Sequence, residues 1–361
     1  MSDASSTTTG GLASAAPGGH RGLSVVVPSF NSAPWLESTL RAVDVALVDT
    51  AWEAEIVVVD DGSTDDTPRV LAALAEVLRT PLRVVRTENQ GRFLARWAGT
   101  EAATYPEILL LDSRVLVEPG ALAHVLRTRE EGGHGPWNAH VETSTRSSLV
   151  GLFWEVPTYV FWGAYRARPR PMLITPENFD HVPKGTTCFL VDREVYQAAA
   201  RACWPQENAH LVSDDTMLLR YIAARFPIRI DPGFAVEYRP RQSLRRFLAH
   251  SYVRGTLFVS SYAGTSRLRD VVLVLLALSV PAAVVALVAA GLAGALVPML
   301  VAVLGIASAA ALVPSTIALA RGCPPRAALA FVVTLVPFGA VFWAGLVRGL
   351  VVHRRTWRRH G

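Results

Sequence analysis

Fifty consecutive residues, 271–320, contain no Asp, Glu, Lys or Arg. A helix apolar on every side has no face to offer water. A bilayer core takes about 20 apolar residues per helix, so this run is long enough for two crossings. The glycines at 291 and 294 mark the expected turn between them. A second uncharged run, of twenty-one residues, follows at 327–347. The chain therefore carries a region built for lipid, and its other residues must be read separately. With 51% hydrophobic and 18% charged residues overall, a disordered polymer is excluded. Three cysteines exclude a disulfide framework, and Cys188, Cys203 and Cys323 lack metal-like spacing.

Charge divides the same way. The formal net charge of +5 conceals nine Arg and one Asp in residues 267–361, a net +8, against −3 for residues 1–266. Arginine at helix ends beside apolar runs points to anionic lipid head groups, so nucleic acid is not expected as a partner. Residues 239–269 hold seven Arg among Phe247, Leu248, Tyr252, Leu257 and Phe258, and read as an amphipathic juxtamembrane segment. Arg267 and Arg269 before the first crossing, and Arg321 and Arg326 after the second, put both ends on the cytoplasmic side. A third crossing over 327–347 would export the basic tail 353–361; a re-entrant hairpin bending near Pro337 and Gly339 would not. Three spanning segments within 270–352 is the expectation carried forward, with the hairpin as its alternative.

Residues 1–22 are rich in Ser, Thr, Ala and Gly and read as a flexible leader. The next two hundred residues alternate strand and helix signals. Buried strands are expected at 23–28, 55–59, 82–86, 107–111, 187–191 and, briefly, 228–230. Helices are expected after Ser32, after Pro68, over 91–103, after Pro119 and over 214–224. This is an α/β pattern with a mostly parallel sheet, whose ligands sit beyond the carboxyl ends of the strands. Asp60, Asp61 and Asp112 fall at two such ends. Residues 152–165 contain six aromatics, and read either as core or as an acceptor-side or membrane-facing surface.

Six segments carry a more specific signal by their order and spacing: 25–31 (VVVPSFN), 57–67 (VVVDDGSTDDT), 88–91 with Ala95 and Arg96, 109–122 (LLLDSRVLVEPGAL), 188–196 (CFLVDREVY) and 213–219 (SDDTMLL). Each is weak alone, since Asp-Gly is an ordinary turn. Together, over about residues 23–250, they resemble the family 2 glycosyltransferases of the GT-A fold. The resemblance implies a GT-A catalytic domain over 23–238. It implies inverting transfer of a sugar from a nucleotide-diphosphate sugar to an acceptor; the membrane segments and the basic amphipathic stretch suggest by their location a lipid-linked or envelope-glycan acceptor, and the arginine placement puts the reaction at the cytoplasmic face of the cell membrane. It implies that Asp60 and Asp61 lie against the donor's base and ribose, with Pro28, Asn31 and Gly91 shaping that pocket and Arg96 near the diphosphate or bracing the floor. Asp112 would be the first acid of the family's Asp-x-Asp element. Asp215, preceded by Asp214, would be the base on the acceptor hydroxyl, one acid of the pair capping the next helix and the other catalysing.

Two departures qualify the resemblance. Asp112-Ser113-Arg114 has a guanidinium where the family has a second metal-binding carboxylate, and arginine cannot ligate a metal. Three readings stay open: Asp112 alone holds Mg2+ or Mn2+ through the donor diphosphate, Arg114 itself neutralises the diphosphate, or Arg114 pairs with Glu118. Residues 242–247 (QSLRRF) loosely echo a Gln-x-x-Arg-Trp element without its Trp, placing Gln242 and Arg245 near the acceptor or diphosphate. Two further functions remain as alternatives: transfer directly to a polyprenyl phosphate, and a degenerate fold that binds nucleotide or lipid without turnover. No G-x-G-x-x-G follows the first strand, so nucleotide redox chemistry is not expected.

Overall fold

The structure is a computed structural model; it describes residues 21–48, 50–144, 147–205, 209–212 and 215–354. Most of the leader (1–20), Asp214 and the tail beyond 354 lie outside the described residues.

The described strands form one sheet: β1 (Arg21–Ser29), β2 (Trp52–Asp61), β3 (Leu82–Thr87), β4 (Glu107–Leu111), β5 (Val115–Val117), β6 (Trp137–Thr143), β7 (Met172–Ile174), β8 (Cys188–Asp192) and β9 (Ile228–Tyr238). Their order is β3-β2-β1-β4-β8-β6-β9-β5, with β7 also on β9. The first four strands pair in parallel. β8 joins β4 antiparallel, and the second half mixes both senses. The expected mostly parallel sheet thus holds for the first half only. The short strands β5, β6 and β7 were not foreseen, and β9 runs eight residues beyond the expected 228–230.

Eight helices flank the sheet: α1 (Ala33–Leu47), α2 (Thr67–Ala75), α3 (Arg92–Ala102), α4 (Ala121–Glu130), α5 (Glu155–Phe161), α6 (Gly163–Arg166), α7 (Arg193–Ala202) and α8 (Thr216–Ala223). Side chains alternate across a strand, so β4 sends Leu109 and Leu111 into a core with α1, α2 and α4. Ile108 and Leu110 enter a second core with α3, α7 and α8. Burial on both faces explains why β1, β2 and β4 read as unbroken apolar runs. The chain passes from β3 back across β1 to β4, which opens a crevice at the carboxyl ends of β1 and β4.

Four long helices complete the chain: α9 (Leu244–Tyr262), α10 (Arg267–Leu292), α11 (Leu296–Ala320) and α12 (Pro325–Val352). The last three are long and apolar enough to cross a membrane. The α10–α11 turn falls where glycine spacing predicted it, with Gly294 at φ +71. Pro281 has no N–H to offer the carbonyl four residues back; the Trp343 indole donates to that Ala277 carbonyl at 3.0 Å.

α12 is one unbroken helix through Pro337, so the bend that the hairpin alternative needs is absent. Its start packs on the α/β domain, where Phe331 lies 5.1 Å from Phe153 ring to ring. Its far end returns there too: the buried His353 lies beside the Leu211 backbone. Along its middle it runs against α9, and Phe153 and Trp154 of the aromatic stretch 152–165 meet Phe338 at 4.4 and 5.3 Å. Those aromatics are therefore the joint between the two parts of the molecule. Segment 239–269 buries one small-residue face, Ser251, Gly255, Thr256 and Val259, against α12. The hairpin α10–α11 is fastened at both ends to the same domain: Arg269 pairs with Asp180 at 2.8 Å, and Arg321 donates to the Tyr159 and Val160 carbonyls at 2.7 and 2.8 Å.

Candidate active site

The residues singled out at the strand ends gather in the β1–β4 crevice. Register sets Pro28 beside Val59 and Ser29 beside Asp60. Asn31 adopts a left-handed backbone, φ +50, which asparagine tolerates better than most residues. Its side-chain Oδ1 accepts from the Thr64 and Asp65 amides at 2.8 and 3.2 Å, and its own N–H donates to Ser63 Oγ at 2.9 Å. Asn31 thus locks the loop after β1 to the loop after β2. Asp60, buried, accepts from the Ser63 amide at 3.0 Å and rounds off that turn. Burial would raise the Asp65 carboxyl, yet hydrogen bonds from Thr67 and Ala33 outweigh it and hold the group below the usual carboxylate range.

Asp61 does structural work as well as facing the crevice. Its two oxygens accept from Thr87 Oγ1 at 2.9 Å, the Gln90 amide at 3.0 Å and the Gly91 amide at 2.8 Å. Gly91 has φ +91 and a Cβ there would lie 2.6 Å from His210 Cα, so only glycine fits this approach. The segment 88–91 is thereby folded onto the end of β2.

On the β4 side, Arg96 is 1% exposed and donates to Asp112 Oδ1 at 2.6 Å and to the Thr186 carbonyl at 3.2 Å. It braces the floor beneath Asp112. Ser113 Oγ meets Ser32 Oγ at 3.0 Å, tying the loops after β1 and β4 across the crevice. Ser32 occupies the N-cap position of α1, but its side chain is spent there and makes no capping hydrogen bond. The Arg114 guanidinium stacks 4.9 Å from the Trp35 ring, and among the described residues no ion pair joins it to Glu118, which removes that reading. One of its terminal nitrogens is buried without a hydrogen-bond partner among the described residues.

The remaining expectations sort differently. Asp215 Oδ1 accepts from the Thr216 amide, and from Thr216 Oγ1 at 2.9 Å, so Asp215 is itself the α8 cap. Of the pair expected to divide capping and catalysis, Asp215 is thus the one seen to cap; Asp214 is outside the described residues. Gln242 spends its amide on the backbone, accepting from the Ser148 N–H at 2.5 Å and donating to the Pro240 carbonyl at 3.2 Å. It positions a loop through these bonds. Arg245 is exposed on the first turn of α9. Trp35 and Ser113 were missed, because nothing in their local sequence separates them from core or loop residues.

Metal binding fits this arrangement poorly. Among the described residues no group of three His, Cys, Asp or Glu could hold an ion, and the one carboxylate expected to do so is already paired with Arg96.

Residues 24–197 match the family model described as Glycosyl transferase family 2, and the sheet with its flanking helices has a GT-A-like fold. Among curated proteins it is similar to an uncharacterized glycosyltransferase of Nostoc sp., 34% identical over 29% of this chain and 31% of that protein. It is also similar to the undecaprenyl-phosphate 4-deoxy-4-formamido-L-arabinose transferase of Klebsiella pneumoniae, 32% identical over 30% of this chain and 34% of that protein. The matches thus span about a third of these relatives. Among solved structures it resembles the mannosyltransferase PcManGT of Pyrobaculum calidifontis, solved with GDP-Man and Mn2+. That likeness has 19% identity, a TM-score of 0.60, and covers 92% of this chain and 88% of the other.

Proposed function

We propose that the chain is a membrane-anchored, inverting glycosyltransferase that moves a sugar from a nucleotide-diphosphate donor to a hydroxyl of a lipid-linked acceptor. The observation that carries this reading is the acidic, glycosyltransferase-type crevice of Asp60, Asp61 and Asp112 on a domain whose aromatic joint packs directly onto apolar α12. In this reading Asp60, Asp61 and Asn31 receive the base and ribose, and Gly91 lets the backbone approach closely. Arg114 pairs with the diphosphate, since a guanidinium fork matches phosphate oxygens. Asp215 takes the proton of the acceptor hydroxyl as its oxygen attacks the anomeric carbon. The bond from that carbon to the diphosphate breaks on the opposite face, and the nucleoside diphosphate leaves with the electron pair. One in-line displacement inverts the centre.

The test is Asp215→Asn in the full-length protein in detergent. Asparagine still caps a helix, so α8 is kept. Turnover should fall at least about a hundredfold, with nucleotide-sugar binding retained. Undiminished turnover would refute a base at this position. That result would instead support transfer onto a polyprenyl phosphate, which needs no base; the Klebsiella relative is named for such an acceptor.

For the membrane, we infer that α10 and α11 cross as a hairpin and that α12 lies along the cytoplasmic face beneath the catalytic domain. Both ends of α12 contact that domain, and Leu329, Val332, Val333 and Val336 form one exposed apolar stripe at helical spacing. About 42 Å of helix laid in the interface buries that stripe in lipid. The basic tail then stays on the cytoplasmic side, as the positive-inside tendency asks.

A further inference from the structure

Asp180 divides its carboxylate between two helices that belong to different cores. Its Oδ1 accepts from Arg220 of α8 at 2.9 Å, and its Oδ2 accepts from Arg269, in the first turn of α10, at 2.8 Å. α8 buries Leu218, Leu219 and Ile222 in the α/β domain. α10 buries Leu273 in a separate cluster with Val259, Ala263 and Leu346. One carboxylate thus spans the seam between the domain and the apolar helices.

The groups on both sides of this bridge are held in place. Asp180 lies in the short 3-10 turn Phe179–His181, whose Phe179 is fully buried. The Arg220 guanidinium lies 4.4 Å over that ring and the Lys184 ammonium 4.2 Å from it. Asn178, just before the turn, accepts from the Thr175 amide and donates to the Leu173 carbonyl, both at 2.8 Å, which ties the turn to β7. Arg269 donates to Thr265 Oγ1 at 3.2 Å and lies 5.6 Å over the Tyr262 ring. Burial would raise the Asp180 carboxyl, yet Arg220 and then Arg269 outweigh it and hold the group below the usual carboxylate range.

Arg220 stands five residues after Asp215, the cap of α8. α8 has eight residues, about 12 Å of helix, short enough to move as one piece. Half-exposed ion pairs add little to global stability, so what this pair of bonds chiefly supplies is place. Place matters at a reacting group, where a misplacement of about 1 Å can cost about a hundredfold in rate.

We propose that Asp180 is a positioning residue: it ties α8, and with it Asp215, to the first turn of α10, so that the seating of the apolar hairpin sets where the base stands. The proposal rests on the reading of Asp215 given above and adds the element that aims it.

The test uses the full-length protein in detergent and the variants Asp180→Asn, Arg269→Gln and Arg269→Lys. Hydrogen exchange in 216–223 should quicken at least about threefold in the first two, while Arg269→Lys, which keeps a donor, stays near wild type. Donor hydrolysis, with water in the acceptor's place, is followed with UDP-glucose, GDP-mannose and dTDP-glucose, taking the one that the wild type turns over fastest. Its kcat should fall at least about tenfold in Asp180→Asn and Arg269→Gln, with KM changed less than about twofold. The double variant Asp180→Asn/Arg269→Gln should lose no more than Asp180→Asn alone. Unchanged exchange in α8 when Arg269, on another helix, is altered would overturn the tie. Faster exchange with unchanged kcat would overturn the aiming of the base. An equal loss in Arg269→Lys and Arg269→Gln would overturn the part given to the charged bond. Should Asp215→Asn hydrolyse as fast as the wild type, the base reading fails and the exchange alone decides the tie.

Discussion

Gly345 on α12 touches the α9 backbone so closely that a single added methyl becomes a measurable wedge. A Cβ at Gly345 would lie 2.0 Å from the Tyr252 carbonyl oxygen and 2.9 Å from its carbon. Carbon and carbonyl oxygen normally approach to about 3.3 Å, so the two helices must part by more than an ångström. Overpacking of this kind costs about 1–3 kcal/mol. The same shift stretches the 3.0 Å hydrogen bond from Thr256 Oγ1 to the Gly345 carbonyl, worth about 1 kcal/mol net. Alanine also gains up to about 1 kcal/mol over glycine in a helix, which would mask part of the loss. Gly339→Ala supplies the control: it lies on the same helix, is exposed, and a Cβ there meets nothing within 4 Å. Comparing the two variants cancels the propensity gain and leaves a difference of about 2–4 kcal/mol. Cys188 and Cys323 are buried free thiols, so a thiol-reactive fluorophore reports unfolding in detergent. At one fixed scan rate Gly345→Ala should unfold several degrees below Gly339→Ala. Equal midpoints would refute the claim that α9 and α12 touch backbone to backbone.

Three further outcomes are expected. Lys184 is the chain's one lysine, and burial brings it down to about 8, against opposing pulls from Asp180 and Asp215. Acylation of its peptide followed by mass spectrometry should therefore show a midpoint near pH 8, and a midpoint above 10 would contradict its burial. Between about 8 and 10.5 the unfolded chain keeps a proton that the folded chain has released, so the stability of wild type relative to Lys184→Met should rise with pH across that window. Protease added to sealed vesicles with the catalytic domain outermost should remove the tail beyond Arg354; a tail cut only after permeabilisation would mean that α12 crosses. Transfer should persist in excess EDTA, because Arg114 occupies the place of a metal-binding acid; complete loss restored by Mn2+ would show that Asp112 recruits an ion despite Arg96.

The acids of the crevice were readable because each ends a strand whose apolar run is unmistakable: Asp60 and Asp61 after β2, Asp112 after β4. The strands β5, β6 and β7 were not. β6 buries Asn138 and His140 among apolar residues, so it shows neither alternation nor a continuous apolar run, and β5 and β7 are three residues each. Their existence depends on β9, which is long enough to pair with all three. Asp61 was legible as a pocket acid but not as the anchor of the Gln90 and Gly91 amides, since hydrogen bonds across thirty positions leave no local pattern. Hydropathy found the uncharged middle of α12, 327–347, yet not its full extent of Pro325–Val352, and it says nothing of the packing of Phe331 on Phe153.

The glycine seam between α9 and α12 has a consequence for which acceptors can react at all. Side chains normally keep helix axes 8–10 Å apart and leave room for rocking. Here Gly255, Gly345 and Gly349 bring backbone against backbone, and the Thr256 hydroxyl pins the pair. Such a joint has little give, so under the membrane placement proposed above the crevice would be held at one altitude above the lipid surface. The proposed transferase would then select by height: a group presented at that level is within reach, and the same group carried higher on a longer headgroup passes over the site.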